Sequence, residues 1–558
     1  MSLPFLRSYF MANSTLSVIC GLGLSFISSH AATVVWNGAG ADNNWGTGAN
    51  WGGSGSTVPG TAPVNPVAPA TGDIIQFAGS TRLNPLLGAE LWRADRIVFN
   101  SGAGAFTLGN EADRKTIRLR ATTATGHDSN EFLVNNASNL QTINDHLVIE
   151  GSGVNNTTGG GIQAINGDIV LNGNLSAATT LSGLRLKPNG GRTLTVNGVI
   201  SGNWGLTAVN SGGTVALNGL NTYTNGTAVW SGTVRVGVNS LSGAAGAFGN
   251  GTSAIAMANG GTSPTDSANY NSAILTSAAV TIGRDITLTT RTQGAVNATN
   301  SFRLGGDTAH LSSFTGTVLM SHLHPLTVTA AAGGRVNFST LSRTSTNALM
   351  EDDLIKQGLG IVALTGTANY AGETLINQGT LLVNGILSKT STAVSTQVGA
   401  VIVSTNAALG GSGTIARNVT INTGGIFAPG DMSLASVSST GLLTIDADLT
   451  LNTGSILRFD LGSSSGDWVD VNGALTLRGI LEVTNAGGFG NGSYKLFEYG
   501  TLAYNLGDVV LASPNYSLVV NDAQKAVYLN VVPEPGRVVL LLAGLGLLVI
   551  RRRRRSVV

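Results

Sequence analysis

The sequence predicts an all-β protein: a parallel β-helix, or β-solenoid, followed by a C-terminal β-module and a short C-terminal transmembrane helix. Glycine accounts for 77 of the 558 residues, and only 11% of residues are charged. Runs of Val, Ile and Thr, which suit pleated surfaces, end at Asn-Gly pairs, which suit tight turns. Strand–turn–strand units return about every 20 residues, which is typical of a coiled stack of strands.

Residues 1–31 are expected to be a secretory signal peptide. Arg7 supplies a positive charge ahead of an apolar stretch, and small residues surround a cleavage site after Ala31 or Ala32. The only cysteine, Cys20, lies inside this segment. The mature chain is therefore expected to have no disulfide and no cysteine metal site.

Residues 32–165 are expected to form an N-terminal β region. It opens with "VVWNGAGADNNWGTGANWGGSG" from Val34, and we expect this Trp- and Gly-rich segment to cap the first turn of the solenoid. Outside Arg7 and Arg551–Arg555, basic residues do not outnumber acidic ones, so the body has no surplus of positive charge. A nucleic-acid-binding role is therefore disfavoured.

Residues 166–423 are expected to be the β-solenoid, because two stretches of this region superpose at a constant offset of 147 residues. They read "GTVALNGLNTYTNGTAVWSGTVRVG" from Gly213 and "GIVALTGTANYAGETLINQGTLLVNG" from Gly360. Parallel stacking would bury the alternating apolar positions and expose Thr, Ser and Asn. We expect an Asn-Gly turn at Asn218 and inward-facing side chains at Val215, Leu217, Leu364 and Val383.

These two stretches resemble the autotransporter-associated β-strand repeat, whose core runs roughly L-x-G-x-N-T-Y-x-G-x-T-x-V-x-x-G-T-L-x-V. The similarity is best at residues 205–237 and 358–385. The resemblance implies a β-helical stack in a protein of the cell surface. After it, from Gly424, the strands become longer and richer in Leu, and residues 424–531 resemble a terminal β-module.

The tail combines three features in order: Pro533, Glu534 and Pro535, then an apolar run at residues 538–550, then Arg551, Arg552, Arg553, Arg554 and Arg555. The apolar run is short for a bilayer of about 30 Å, and the arginines should remain cytoplasmic. Residues 532–555 resemble the PEP-CTERM sorting signal. The resemblance implies export through the secretion translocon and processing by an exosortase-type membrane protease. It also implies transient anchoring by the helix in a Gram-negative-type bacterium that secretes polysaccharide.

Candidate chemical sites are few. Glu351, Asp352 and Asp353 are adjacent carboxylates, which favours a solvated loop over a calcium or acid–base site. His322 and His324 are two residues apart, but no third metal ligand is near them in the sequence.

Asp467 and Asp470 flank Trp468, but the spacing does not fit an EF-hand loop. We therefore predict no catalytic residues, no cofactor and no metal.

The sequence thus favours a secreted structural or adhesive β-solenoid, associated with the cell surface or an extracellular polysaccharide matrix. A polysaccharide-degrading β-helix enzyme, either a lyase or a glycosidase, is the alternative, since carboxylates far apart in the chain can meet on neighbouring turns of a stack. The ligand, the cleavage sites and the oligomeric state are left open.

Overall fold

The computed structural model describes residues 33–53, 74–88, 91–119, 131–150, 160–178, 183–257, 271–288, 301–320, 324–343, 352–388, 399–431, 440–463 and 466–532. Within these ranges the protein is all-β, as predicted, with a single 3₁₀ turn at Gly48–Asn50. Almost all of the strand pairing is parallel, which is the arrangement of a β-solenoid.

The strands in the first part of the chain are β1 (Thr33–Trp36), β2 (Trp51–Gly53), β3 (Ile74–Phe77), β4 (Leu91–Ala94), β5 (Arg96–Phe99), β6 (Thr107–Leu108), β7 (Thr116–Leu119), β8 (Glu131–Asn135), β9 (Gln141–Ile143), β10 (His146–Ile149), β11 (Gly161–Ala164), β12 (Ile169–Leu171), β13 (Leu175–Ala177), β14 (Leu184–Pro188), β15 (Thr193–Val196), β16 (Ile200–Ser201), β17 (Leu206–Leu217) and β18 (Thr227–Val236). Those of the middle part are β19 (Ile255–Met257), β20 (Asn271–Thr276), β21 (Thr281–Ile282), β22 (Ile286–Leu288), β23 (Ser301–Gly306), β24 (Leu311–Met320), β25 (Leu326–Ala330), β26 (Arg335–Arg343), β27 (Leu354–Gln357), β28 (Ile361–Ala368), β29 (Thr374–Ile376) and β30 (Gly379–Val383). The last part contains β31 (Ile386–Leu387), β32 (Val401–Val403), β33 (Ala407–Gly411), β34 (Thr414–Ile415), β35 (Val419–Ile421), β36 (Ile426–Pro429), β37 (Leu442–Ile445), β38 (Leu449–Leu451), β39 (Ile456–Leu461), β40 (Trp468–Asn485), β41 (Gly492–Leu511), β42 (Tyr516–Asn521) and β43 (Ala526–Val531).

The strands follow one another in a cycle of three, and each pairs in parallel with its equivalent one turn later. One turn of the chain, here called a rung, contributes one strand to each of three ladders, which form faces A, B and C. Face A contains β5, β8, β11 and β14 and later β31, β34 and β37. Face B contains β9, β12 and β15 and later β27, β29, β32, β35 and β38. Face C contains β4, β7, β10, β13 and β16 and later β30, β33 and β36.

The core is the interior of this stack, filled by every second residue of each short strand. In β15 the burial alternates half-buried, buried, half-buried, buried, and the same period of two returns in most strands. Val215, Leu217, Leu364 and Val383 are all buried, which confirms their predicted inward orientation. Asn218 lies just after the end of β17 and is exposed, as expected for a residue at a turn.

The Asn-Gly turns have a steric basis that glycine alone satisfies. A Cβ atom on Gly198 would lie 2.0 Å from the carbonyl oxygen of Gly173 on the preceding rung. A Cβ atom on Gly219 would in turn lie 2.2 Å from the carbonyl oxygen of Gly198. Successive rungs stack about 4.8 Å apart, so a glycine column at this corner lets the backbones keep that spacing.

An antiparallel strand joins one ladder at each end of the described stack. At the N-terminal end, β2 pairs antiparallel with β1, and the rings of Trp36 and Trp51 meet edge-on with centroids 5.0 Å apart. These residues lie in the Trp- and Gly-rich segment that we expected to cap the first turn. At the C-terminal end, β43 pairs antiparallel with both β41 and β42.

After Gly424 the strands β36–β39 remain 3–6 residues long, and two long strands follow, β40 with 18 residues and β41 with 20. This segment continues the parallel ladders of the preceding rungs, since β36 pairs with both β33 and β39. The later module is thus joined to the body through backbone hydrogen bonds.

Candidate functional site

The first repeat places a buried tyrosine at a corner of the stack. The hydroxyl of Tyr223 lies 2.6 Å from Thr227 Oγ1, and burial raises the pKa of this phenol. Arg284, from a later rung, is also buried; its Nη1 donates to the carbonyl of Phe248 at 2.9 Å and its Nε to that of Ser253 at 3.0 Å. The arginine thus satisfies carbonyl groups that the turn leaves without strand partners.

The second repeat has the same arrangement. The hydroxyl of Tyr370 lies 2.6 Å from Thr374 Oγ1, and the Arg417 guanidinium carbon lies 4.3 Å from the centre of the tyrosine ring. Arg417 Nη1 donates to Gly372 O at 2.7 Å, Nε donates to Ser388 O at 3.1 Å, and Nη2 donates to Tyr370 O. We call each such group of a tyrosine, a threonine and a later arginine a corner cluster.

Sequence reasoning found the two tyrosines by their constant offset but missed the two arginines. The signal was available, because Arg284 lies in "IGRDITL" and Arg417 in "IARNVTI". In both heptapeptides the arginine lies between two apolar strand segments, at a turn position where a charged side chain is expected to face solvent. Burial of a charged side chain can be recognised there only once the rungs are stacked.

Asp352 does not lie in the solvated loop that was predicted for residues 351–353. Asp352 is completely buried; it pairs with Arg343 Nε at 3.1 Å and accepts the backbone N–H groups of Ala371 and Gly372. The prediction failed because strand pairing brings Arg343 and the turn of the next rung onto this carboxylate. Asp353 is half-buried and accepts the Glu373 N–H at 2.7 Å. Glu351 lies outside the described residues.

Only one histidine of the predicted pair lies within the described residues. His324 packs near Phe302, with ring centroids 6.3 Å apart, whereas His322 lies outside the described residues. Within the ranges that the structure describes, no group of three or more His, Cys, Asp or Glu side chains is placed to hold a metal ion.

Asp467 is a buried carboxylate held by backbone groups. Its Oδ1 accepts the N–H of Gly441 at 2.7 Å and its Oδ2 accepts that of Asp460 at 2.8 Å. Burial raises the pKa of Asp467 to about 7, against the opposing effect of these two hydrogen bonds. The neighbouring Trp468 ring faces outward under Lys495, whose Nζ lies 3.4 Å from the ring centre. Asp470 is half-buried on the same strand, and burial raises its pKa as well.

The raised pKa of Asp467 predicts a pH dependence of stability. Between about pH 4 and pH 7 the folded protein retains a proton on this group that the unfolded chain loses, so the free energy of unfolding should fall as the pH rises through this window. Asp467→Asn should reduce that slope, measured by urea unfolding at a series of pH values. The exposed Asp522→Asn is the control and should leave the slope unchanged. Equal slopes in Asp467→Asn and the parent would contradict the assignment.

Lys356 was not predicted to be special, yet it faces the interior of the solenoid. It lies in the core column between Val328 and Ile376, and its Nζ donates to the carbonyls of Gln357, Gly358 and Gln378 at 2.7–2.9 Å. Burial lowers the pKa of this ammonium to about 8. All three partners are backbone carbonyls at the end of β27 and on the next rung, so the lysine closes a corner of the stack.

The Asn-Gly turns also form a side-chain ladder along one corner. Asn172 Nδ2 donates to Asn144 Oδ1 at 2.9 Å, Asn197 Nδ2 to Asn172 Oδ1 at 2.8 Å, and Asn218 Nδ2 to Asn197 Oδ1 at 2.9 Å. Asn172 and Asn197 thus use both their donor and their acceptor along the stack. The sequence predicted the turn at Asn218, but the ladder depends on the register between rungs.

The sorting motif Pro533, Glu534 and Pro535, the apolar run 538–550 and Arg551–Arg555 all lie outside the described residues. Within the described part of the chain, no helix has the length and apolar character needed to cross a bilayer.

The described residues therefore define a class of protein: a β-solenoid with repeated corner clusters and polar ladders along its corners. Residues 210–236 and 354–383 match the profile of the family described as "Passenger-associated-transport-repeat", which confirms the resemblance of these two stretches to autotransporter-associated repeats. The two matched segments contain Tyr223 and Tyr370, the tyrosines of the two corner clusters.

The chain is also similar to a curated protein, "Adhesin BmaC autotransporter" of Brucella suis biovar 1 (strain 1330). The two are 31% identical over 242 residues, which cover 40% of this chain. The match spans only 6% of the relative's length. The similarity therefore concerns a part of that protein.

Proposed function

We propose that the protein is a structural or adhesive β-solenoid of the bacterial cell surface, with no enzymatic activity. The observation that carries the proposal is the pair of repeats at residues 210–236 and 354–383, each built around a buried corner cluster in a continuous parallel stack. The similarity to an adhesin supports the same role. The stack offers a long outer surface of Thr, Ser and Asn, suited to many weak contacts.

The buried carboxylates support a non-enzymatic role. Asp352 and Asp467 are both buried, and both accept backbone N–H groups inside the stack. A substrate in solution has no access to a carboxylate that is completely buried. An extracellular polysaccharide is a partner that fits the outer surface of Thr, Ser and Asn, as a ligand and not as a substrate.

The proposal for localisation rests on the two ends of the sequence. The signal peptide at residues 1–31 would direct the chain into the secretion translocon. The tail would stall with Arg551–Arg555 in the cytoplasm and residues 538–550 in the membrane. An exosortase-type protease would then act near Pro533, Glu534 and Pro535 and release the body to the cell surface or the extracellular matrix.

Glu534→Ala tests the sorting signal. Export should be retained, since the signal peptide is unchanged, but uncut precursor should accumulate in the membrane fraction. Cell fractionation and mass spectrometry of both termini measure this directly. Asp522→Ala, an exposed acidic change in the β42–β43 hairpin, is the matched control and should be processed like the parent. Normal processing of Glu534→Ala, or a mature protein that still carries Arg551–Arg555, would refute the sorting proposal.

The adhesive role has its own test. Cells that lack the protein should bind less to abiotic surfaces and to purified extracellular polysaccharide than the parent, and expression of the full chain should restore binding. Unchanged attachment and unchanged polysaccharide retention in the deletion strain would contradict the adhesive role. Such a result would leave the sorting result unaffected.

A further inference from the structure

One stretch of face B has an outer surface free of charge along its centre. The outward-facing residues at the middle of successive strands are paired in register from Thr327 to Ile355, Leu375, Ile402, Thr420, Thr450 and Thr476. Ile355, Leu375 and Ile402 are half-buried, although their neighbours along each strand point into the core. At the N-terminal end this column stops at Arg303, which pairs in register with Thr327. We call the residues from Thr327 to Thr476 the face B column.

The residues that flank the face B column carry different groups on its two sides, carboxylates on one and carboxamides on the other. Five successive rungs read DLIKQ, ETLIN, AVIVS, NVTIN and DLTLN, at residues 353–357, 373–377, 400–404, 418–422 and 448–452. In three of the five, a carboxylate precedes the strand and a carboxamide follows it. Glu373 and Asn377, on either side of Leu375, are both exposed.

We infer that two copies of this chain pair side by side through the face B column, with their long axes parallel and related by a two-fold axis along the stack. This rotation places each central residue opposite its own equivalent, Leu375 on Leu375 and Ile402 on Ile402. It also reverses the order of the flanking residues, so that Glu373 of one copy meets Asn377 of the other. Carboxylate and carboxamide are complementary as acceptor and donor.

A pair of copies with antiparallel long axes is less favourable on the same observations. A two-fold axis along the strands would also match Leu375 with itself, but it would bring Glu373 of one copy onto Glu373 of the other. Like charges in direct opposition are unfavourable. The parallel arrangement has no such pair along these five rungs, and only Arg303 at the end of the column would face its own equivalent.

The size of the surface sets the strength of the association. Five rungs about 4.8 Å apart and five residues at about 3.3 Å each give a footprint of about 24 Å by about 16 Å on each copy. The two footprints together are about 800 Å², below the roughly 1,200 Å² of a stable specific complex. The pairing is therefore weak and reversible, and it becomes significant where copies are concentrated on one surface.

Site-directed cross-linking of the full-length chain tests this inference. Cys20 is the only cysteine, so a Cys20→Ser background allows a single new thiol. Ile402→Cys should give a covalent dimer with a bis-maleimide whose reach is about 10 Å, the separation of two packed sheets. Thr195→Cys, an outward-facing and half-buried residue of face B far from the column, is the matched control and should stay monomeric.

A second substitution separates pairing from chance collision. Leu375→Lys, added to Ile402→Cys, should reduce the cross-linked dimer at least tenfold, because it sets two ammonium groups against each other. Its circular dichroism should match that of the parent, since the side chain points outward. Equal yields from Ile402→Cys and Thr195→Cys, or a yield unaffected by Leu375→Lys, would overturn the inference. Dimers that form only between an Ile355→Cys chain and an Ile402→Cys chain would overturn the parallel orientation.

Discussion

Replacement of Arg417 by methionine is expected to lower the free energy of unfolding by about 4 kcal/mol. Methionine can fill much of the space but cannot donate, so the carbonyls of Gly372, Ser388 and Tyr370 lose their partner in a buried corner. Each buried polar group left unsatisfied costs about 1–3 kcal/mol. The contact with the Tyr370 ring is lost as well. Urea unfolding of the purified full chain, followed by far-ultraviolet circular dichroism, measures the difference.

Arg458→Met is the matched control for this experiment. Arg458 pairs with Glu482 on the surface, and the side chains of the two are 41% and 44% exposed. Surface ion pairs contribute about 0–1 kcal/mol, so this variant should unfold almost like the parent. Comparable losses of unfolding free energy in Arg417→Met and Arg458→Met would show that the corner cluster stabilises the stack no more than a surface ion pair does.

Gly198→Ala is expected to destabilise the stack by about 3 kcal/mol, the upper end of the cost of overpacking. The new methyl group would lie 2.0 Å from the Gly173 carbonyl oxygen, and a backbone carbonyl in a ladder cannot rotate away. The two rungs must separate, which also stretches the hydrogen bond between the side chains of Asn172 and Asn197. Amide hydrogen exchange should show lost protection in β15 and β16, the strands on either side of the turn.

The control is a glycine with room around it. A Cβ atom on Gly102 would meet no atom within 4 Å, and its backbone is not in the left-handed region. Gly102→Ala should therefore be neutral or slightly stabilising, since alanine restricts the unfolded chain. Normal exchange protection in β15 and β16 of Gly198→Ala would mean that the corner relaxes without loss, contrary to the steric argument.

The fold was predictable because the sequence patterns that determine it are local and periodic. Alternating apolar residues fixed the inward positions at Val215 and Leu364, and Asn-Gly pairs fixed the turn at Asn218. The offset of the two repeats located Tyr223 and Tyr370. These features depend on neighbours a few residues away, and stacking only repeats them.

The polar interior was not predictable for the same reason. Asp352, Lys356 and Arg417 depend on contacts far from them in the sequence, and a charged residue near a turn is expected to face solvent. Their partners lie on other rungs: Arg343 for Asp352, and the carbonyl of Gln378 for Lys356. Such contacts depend on the length of each turn between strands, and these lengths vary along the chain.

The antiparallel strands β2 and β43 pair with the first and last parallel strands of one ladder, and so mark a beginning and an end of the described stack. A parallel edge covered in this way no longer offers its own backbone groups to another chain. A stack with fixed ends behaves as a molecular ruler whose length is set by the number of repeats encoded between them. Duplicating one unit, such as the 19 residues from Gly213 to Ser231, would extend the reach of the protein by about 4.8 Å while leaving both terminal surfaces unchanged.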